Sequence, residues 1–175
     1  KLFSVLAAST VVVSLYVTAT FVFGFLPHRS LHGWDAVIQS IPTYTRSMFG
    51  YKVWQFAMIG AAWLFFTGAV YSLIIAFISS RMKSQMGTVG IGLAILFVNV
   101  GLAAMGDTVI QRIQPVIDFG LANVTLIKEV FGGYKVYNVF GTSISYPVTA
   151  IFVLGTIAAL TVFGIYRGQK NRTVA

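Results

Sequence analysis

Four long stretches without a charged side chain recur along the sequence, and each is rich in Val, Leu, Ile, Ala and Phe. At a rise of 1.5 Å per residue, about 20 apolar residues in a helix cross a hydrocarbon core about 30 Å thick. Helices satisfy their backbone groups within one segment, whereas barrel strands would show shorter, alternating runs. The pattern therefore predicts an all-α integral membrane fold with four transmembrane helices, at about residues 2–25, 53–79, 87–105 and 147–166.

The residues at the ends of these stretches agree with helical spans. Pro27 ends the first stretch, since proline cannot continue a helix, and Pro147 suits the first turn of the fourth. Tyr51 and Trp54 mark the start of the second, where amphipathic rings favour the membrane interface. This second stretch is longer than a bilayer requires, so we expect its helix to tilt or to project from the membrane.

The loops between the spans carry patterns of short amphipathic helices. Asp107 is placed to begin one such helix, which Pro115 shortens or kinks. A helical apolar repeat then runs from Val124 to Phe131 and stops at the glycine pair 132–133. Another short helix is expected in the loop before the second span. We expect these helices to lie at the membrane interface or to dip into it.

Basic residues predict the orientation of the spans. One set of helix ends lies in very short segments with basic but no acidic residues, namely Lys1, Arg81, Lys83, Arg167, Lys170 and Arg172. The other set lies in two long loops, 28–52 and 107–145, which also hold all 4 acidic residues. Because short cytoplasmic segments collect Lys and Arg, we place both chain ends in the cytoplasm. The net charge of +8 then reflects membrane topology, and we expect no nucleic-acid partner.

The composition supports a membrane domain. Hydrophobic residues make up 57% of the chain and charged residues 9%, whereas soluble domains carry about a quarter charged residues. The sequence starts at Lys1 directly before an apolar run. We therefore interpret residues 1–175 as a single transmembrane domain, a fragment of a longer chain whose missing part precedes Lys1, and we expect it in a bacterial plasma membrane.

Chemically reactive groups are missing from the predicted spans, none of which contains Asp, Glu, Lys, Arg or His. Proton- and ion-coupled carriers usually need such groups in the membrane, so we expect the energy for any transport to come from a partner. The chain also has no cysteine, phosphate-binding glycine loop, serine triad or carboxylate pair. We predict that it is not an enzyme, with no catalytic residue and no cofactor.

Three polar residues each have two interpretations. His28 and His32 would aim two imidazoles at one zinc ion if their segment were helical, or they are interfacial histidines after Pro27. The catalytic Glu of zinc proteases is absent between them, and we predict no metal site. Asn99, near the middle of the third span, either ties two helices together or lines a substrate path.

Several short sequence features follow one another in a characteristic order. The second span ends in a small-polar and basic turn, residues 77–84, and a Gly/Ala-rich span follows at once. An outer segment then carries the Ile/Pro patch 114–119, and residues 137–141 (Tyr-Asn-Val-Phe-Gly) come before the last span. That span is entered through Tyr-Pro and closed by Tyr-Arg at 166–167. The order resembles the last four spans of the six-span type-2 ATP-binding-cassette (ABC) transporter permeases.

The resemblance implies a permease subunit of an ATP-driven exporter that forms part of the substrate pathway. Its implied partners are ATP-binding ATPase subunits, a second permease copy or homologue, and membrane lipids. The outer segments 107–145 would form short helices near the extracellular gate. The implied ATPase-side contact is the cytoplasmic turn of Arg81, Met82, Lys83 and Ser84, and Asn99 is the expected polar contact in the pathway or between helices.

Two other functions are compatible with the same residues. A non-transporting assembly or anchoring subunit of a membrane complex would show the same small-residue helix faces, such as Gly90 with Ala94, and the same lack of catalytic groups. A metal-dependent membrane enzyme would instead use His28 and His32 as ligands.

Overall fold

The computed structural model describes residues 2–19, 22, 33–82, 84–103, 107–139 and 141–173. Helices make up most of this part of the chain, as the sequence predicts. The α-helices are α1 Leu2–Ala19, α2 Val53–Arg81, α3 Gln85–Ala103, α4 Asp107–Asp118, α5 Leu121–Thr125, α6 Ile127–Phe131 and α7 Tyr146–Thr173. Two strands, β1 Val136–Val139 and β2 Thr142–Ser145, were not expected.

Two helices in the described part of the chain are long and apolar enough to cross a membrane. They are Val53–Arg81, with 29 residues, and Tyr146–Gly168 of α7, with 23 residues. α1 and α3 overlap the first and third predicted spans, but their apolar segments, Thr10–Ala19 and Met86–Ile95, are shorter. Two of the four predicted spans are thus supported by length and composition, and the other two stay predictions.

α2 lies at the centre of the helix bundle and packs against α1, α3 and α7. Near its C-terminal end, Phe77 lies against Gly164 of α7, and Arg81 lies against Gly164 and Gly168. Residue numbers rise together on both helices, so α2 and α7 run parallel. The missing side chain permits the close approach, because a Cβ at Gly164 would lie 2.7 Å from Cε2 of Phe77.

α3 begins at Gln85, shortly after the end of α2, and returns along α2. The Tyr71 hydroxyl of α2 donates a hydrogen bond to the Gly92 carbonyl of α3 at 3.0 Å. Gly92 also allows contact with Ile75, since a Cβ there would lie 2.7 Å from the Ile75 Cδ1. The two helices are therefore antiparallel and closely packed at this level.

The loops predicted to lie outside pack around the first half of α2; residues 33–52 and 107–145 are here termed the outer lobe. Trp63 of α2 is buried, and its indole N–H donates to the Val124 carbonyl of α5 at 2.7 Å. Trp63 is about 15 Å along the helix from its first residue. The lobe and α2 share a buried core that includes Ile38, Phe56, Trp63, Val124, Val130, Phe131 and Tyr146.

The first part of the outer lobe is built of tight turns. The short helix expected there takes the form of two 3-10 turns, Ile38–Ser40 and Pro42–Tyr44. Val37 pairs with Lys52 as an isolated bridge, and Lys52 also lies 3.0 Å from the Asp35 carboxylate. These contacts close the loop at the start of α2.

The second part of the outer lobe begins with α4. This helix starts at Asp107, as predicted, and continues past Pro115 to Asp118, so the expected shortening at Pro115 is not observed. A proline removes one backbone hydrogen bond from the helix, but the last turn closes with the Phe119 N–H donating to the Pro115 carbonyl at 3.1 Å. α4 therefore delivers Asp118 to the end of the lobe nearest α7.

A β-hairpin connects α6 to α7. Its antiparallel register pairs Val136 with Ser145 and Val139 with Thr142, which leaves a two-residue loop at positions 140–141. Gly141 has φ +82°, a conformation that such loops require and that glycine adopts without steric cost. The hairpin brings β1 back beside the first residue of α7.

Candidate functional site

Within the described residues, a buried carboxylate collects polar groups from several elements. The side chain of Asp118, the last residue of α4, is 5% exposed. Its Oδ1 accepts hydrogen bonds from Gln114 Nε2 at 2.9 Å and from Lys135 Nζ at 3.0 Å. Its Oδ2 accepts one from the Tyr137 hydroxyl. These residues together with Tyr146 are here termed the Asp118 junction.

Tyr146 completes the junction from the side of α7. Its hydroxyl donates to the main-chain carbonyl of Asp118, and its own N–H donates to the Lys135 carbonyl at 3.0 Å. The last carbonyls of a helix have no partner within the helix and need one from outside. Tyr146 supplies that partner to α4, and in doing so attaches the first residue of α7 to the outer lobe.

Aromatic rings shield the junction from water. The Phe119 ring lies 5.0 Å from the Tyr137 ring and 5.5 Å from the Tyr146 ring, between centroids. The ammonium of Lys135 lies 5.4 Å from the centre of the Tyr146 ring, within the range of a cation–π contact. The low local dielectric strengthens the hydrogen bonds to Asp118 and makes an unpaired group there costly.

Lys135 balances two acidic side chains. Besides Asp118, its ammonium lies 4.0 Å from Glu129 Oε2, and Lys135 is 34% exposed. The contact with Glu129 is partly exposed to water and is expected to contribute little to stability. In the contact with Asp118, the carboxylate is buried. The ion pair to Asp118 therefore dominates the electrostatics of the junction.

The Tyr137 hydroxyl is held in its protonated form. Burial, followed by the hydrogen bond to Asp118 and the negative charge of that carboxylate, raises the pKa of Tyr137 well above its usual range. The hydroxyl therefore acts as a donor to Asp118 at neutral pH. Since both oxygens of Asp118 accept hydrogen bonds from donors of the protein, the junction is suited to joining α4, β1 and α7.

The turn predicted to contact an ATPase lies at the other end of α2. Arg81 is exposed; its guanidinium lies 5.4 Å from the centre of the Phe77 ring and donates to the Gly164 carbonyl at 3.5 Å. The hydroxyl oxygen of Ser84 accepts a hydrogen bond from the Gly87 N–H at 3.3 Å, which starts α3. Met82 is half-buried between the two helices, and Lys83 lies outside the described residues.

Three other candidate residues lie wholly or partly outside the described part of the chain. Asn99 lies on α3, but its side chain is outside the described part, so its contact stays a prediction. His28 and His32 fall in residues 23–32, which also lie outside that part. Among the residues that the structure does describe, no group of three or more His, Asp or Glu side chains is placed to hold a metal ion.

An open apolar groove lies between the hairpin and α7. It has a volume of about 600 Å³ and is lined by Val139, Ile144, Thr149, Phe152, Val153, Thr156 and Ile157. The hydroxyls of its two threonines donate to carbonyls of Ser145 and Phe152, at 3.1 Å and 2.8 Å. The groove therefore offers a hydrocarbon surface on the outer end of α7.

Comparisons with protein-family models, with curated proteins and with solved structures give no match to this chain. The position of the junction is the main new information, because the sequence marks Asp118 only as an acid of an outer loop and Tyr146 as one of several tyrosines before the last span. Their contact joins residues 28 positions apart.

Proposed function

We propose that this chain is the C-terminal four-span part of a permease subunit of an ATP-driven exporter in a bacterial plasma membrane. Its ends and the Arg81 turn would lie in the cytoplasm, and the outer lobe on the opposite side. The observation that carries the proposal is an organised lobe, seated on one end of α2 and joined by Tyr146 to the start of α7. The type-2 permeases that the sequence resembles would place their gate in this segment.

The directions of the helices support one membrane crossing for each of α2, α3 and α7. α2 and α7 run parallel, and α3 runs antiparallel to α2. Three consecutive crossings require this alternation, since every crossing reverses the direction of the chain. α1 packs along α2 and would supply the remaining crossing.

The length of α2 supports a lobe outside the hydrocarbon layer. The helix has 29 residues and is about 43 Å long, whereas a bilayer core is about 30 Å thick. The outer lobe contacts α2 as far as Trp63, and the 18 residues that follow measure about 27 Å. We infer that α2 projects from the membrane by its first three turns, which keeps the irregular backbone of the lobe away from lipid.

The exposed basic residues at the Arg81 end of α2 are consistent with a partner subunit that supplies the energy for transport. Arg81 is exposed beside α7, and Arg167 of α7 is exposed as well. Acidic groups of an ATPase subunit would be attracted to this basic surface. The predicted spans carry no charged residue for ion coupling, so ATP hydrolysis on the partner would drive transport.

The proposal is tested by purifying the full-length protein from its own membranes and identifying what accompanies it. We expect a nucleotide-binding ATPase, and we expect Arg81→Glu to lower its recovery several-fold. Arg46→Glu reverses the charge of an exposed arginine of the outer lobe and serves as the matched control, with recovery unchanged.

Absence of any associated ATPase would contradict the exporter function and favour the non-transporting assembly subunit. Conversely, ATP hydrolysis that is stimulated by a transported compound in liposomes would exclude that alternative. Equal loss of the ATPase in both arginine variants would refute the assigned inner contact.

A further inference from the structure

The geometry points to α7 as a rigid lever that transmits movement from the Arg81 turn to the outer lobe through the contact between Tyr146 and Asp118. The inference uses contacts within this chain alone and does not depend on the exporter function. It concerns three places along α7: its inner end at Gly164, its middle, and its first residue.

The inner end of α7 packs directly against α2. Gly164 leaves no space beside Phe77, and its carbonyl accepts a hydrogen bond from Arg81. Arg81 lies next to the turn that connects α2 to α3, and a Cβ at Gly168 would lie 3.4 Å from Nη2 of the same guanidinium. A displacement of this turn relative to α7 must therefore act on α7 at Gly164.

The middle of α7 is built to move as one body. The helix is continuous from Tyr146 to Thr173, and the segment from Tyr146 to Gly164 is about 27 Å long. A hydrogen-bonded helix of this length transmits a displacement between its ends with little deformation.

The first residue of α7 is attached to the lobe at two points. The Tyr146 hydroxyl reaches the Asp118 carbonyl, and the Tyr146 N–H reaches the Lys135 carbonyl at 3.0 Å. Asp118 in turn binds β1 through Lys135 and Tyr137. Movement of α7 is therefore passed to α4 and to the hairpin together.

A different part of the lobe is fixed to α2. The Trp63 indole binds the Val124 carbonyl of α5. Between Asp118 and α5 the chain leaves the helical conformation at Gly120, which has φ −62° and ψ 140°. Asn123 of α5 donates a hydrogen bond to the Ile117 carbonyl of α4 at 3.0 Å. The lever would thus shift α4 and the hairpin relative to α5 by bending the chain at residues 119–120 and lengthening this bond.

The test measures the distance between α4 and α2 in the full-length protein in lipid nanodiscs. Residues 1–175 contain no cysteine, and any cysteine elsewhere in the full-length protein is replaced by serine. Val116→Cys and Met58→Cys, both at exposed positions, then each accept one spin label. Gly164→Ala forces the Phe77 ring and α7 apart. We expect this substitution to shift the distance between the labels by about 2 Å, as helix movements at packed interfaces do.

Control variants isolate the lever. Gly155→Ala lies on the same helix with no atom within 4 Å of the added Cβ, and it should leave the distance unchanged. Tyr146→Phe removes the hydroxyl that reaches Asp118 and keeps the bond from the Tyr146 N–H to the Lys135 carbonyl, so Gly164→Ala combined with Tyr146→Phe should show a clearly smaller shift than Gly164→Ala alone. Gly164→Ala combined with Tyr134→Phe, which changes an exposed tyrosine, should keep the full shift.

The inference is overturned if Gly164→Ala and the larger Gly164→Val both leave the distance as in the wild type. It is also overturned if the full shift persists without the Tyr146 hydroxyl. Where the Gly164 variants do not give a monodisperse protein, Phe77→Ala opens the same contact from α2, and its effect on the distance must show the same dependence on Tyr146.

Discussion

The hydroxyl of Tyr146 donates a hydrogen bond to the main-chain carbonyl of Asp118, which joins the first residue of α7 to the last residue of α4. The carboxylate of the same Asp118 accepts hydrogen bonds from Lys135, which directly precedes β1, and from Tyr137, which lies in β1. Asp118 thus connects two elements of the outer lobe, α4 and β1, to the neighbouring helix α7.

Asp118→Asn should destabilise the outer lobe by about 2 kcal/mol, because it leaves the partly buried Lys135 ammonium without its closest counter-charge. The measurement is the midpoint of thermal unfolding of the purified protein. Asp35→Asn is the matched control, since Asp35 is 83% exposed in its ion pair with Lys52 and should change the stability by less than about 0.5 kcal/mol. Equal midpoints for the two variants would show that Asp118 does not hold the lobe.

The Tyr137 hydroxyl should make stability depend on alkaline pH. Its pKa in the folded protein is raised from 10.0 by burial and by the hydrogen bond to Asp118. The stabilisation is complete below pH 10 and is lost as pH rises from there toward the folded-state pKa, since the unfolded chain releases its proton first.

The measurement for Tyr137 compares the wild type with Tyr137→Phe. The difference between their ultraviolet titrations should show no tyrosinate signal near pH 10 while the protein is folded. The wild type should also lose its stability advantage over Tyr137→Phe above that pH. A difference signal with its midpoint at pH 10 would contradict the buried donor role.

Trp63→Phe should loosen α5 from α2, because it removes the indole N–H that binds the Val124 carbonyl and leaves a small cavity. The expected cost is about 2 kcal/mol from the lost hydrogen bond and the lost packing. Hydrogen exchange should accelerate in residues 121–131. Trp54→Phe changes a tryptophan that is 44% exposed and should leave exchange there unaffected; similar acceleration in both variants would argue against the role of Trp63.

The sequence predicts the long helices well because their signal is local. The uncharged apolar run after Lys52 predicts a span at residues 53–79, and α2 extends from Val53 to Arg81. Pro147 marks the first turn of α7 in the same way. In each case the residues within the helix or at its first turn are themselves what predicts the helix.

The hairpin and the junction are not predicted because their signals are short or distant. Val136–Val139 is a strand of 4 residues, too short for its alternation to stand out before an apolar span. The contact of Asp118 with Tyr146 depends on how the intervening hairpin folds back. Trp63 likewise falls inside an apolar run, and nothing in that run indicates its bond to Val124.

The central claim is that α2 crosses a membrane, with the outer lobe on one side and the Arg81 turn on the other. Single cysteines at Thr45, Lys128, Ser84 and Arg167, all exposed positions, can be tested with a membrane-impermeant maleimide in intact cells. We predict labelling of Thr45→Cys and Lys128→Cys in intact cells, and labelling of Ser84→Cys and Arg167→Cys only after lysis. Labelling of all four positions from the same side would contradict the account.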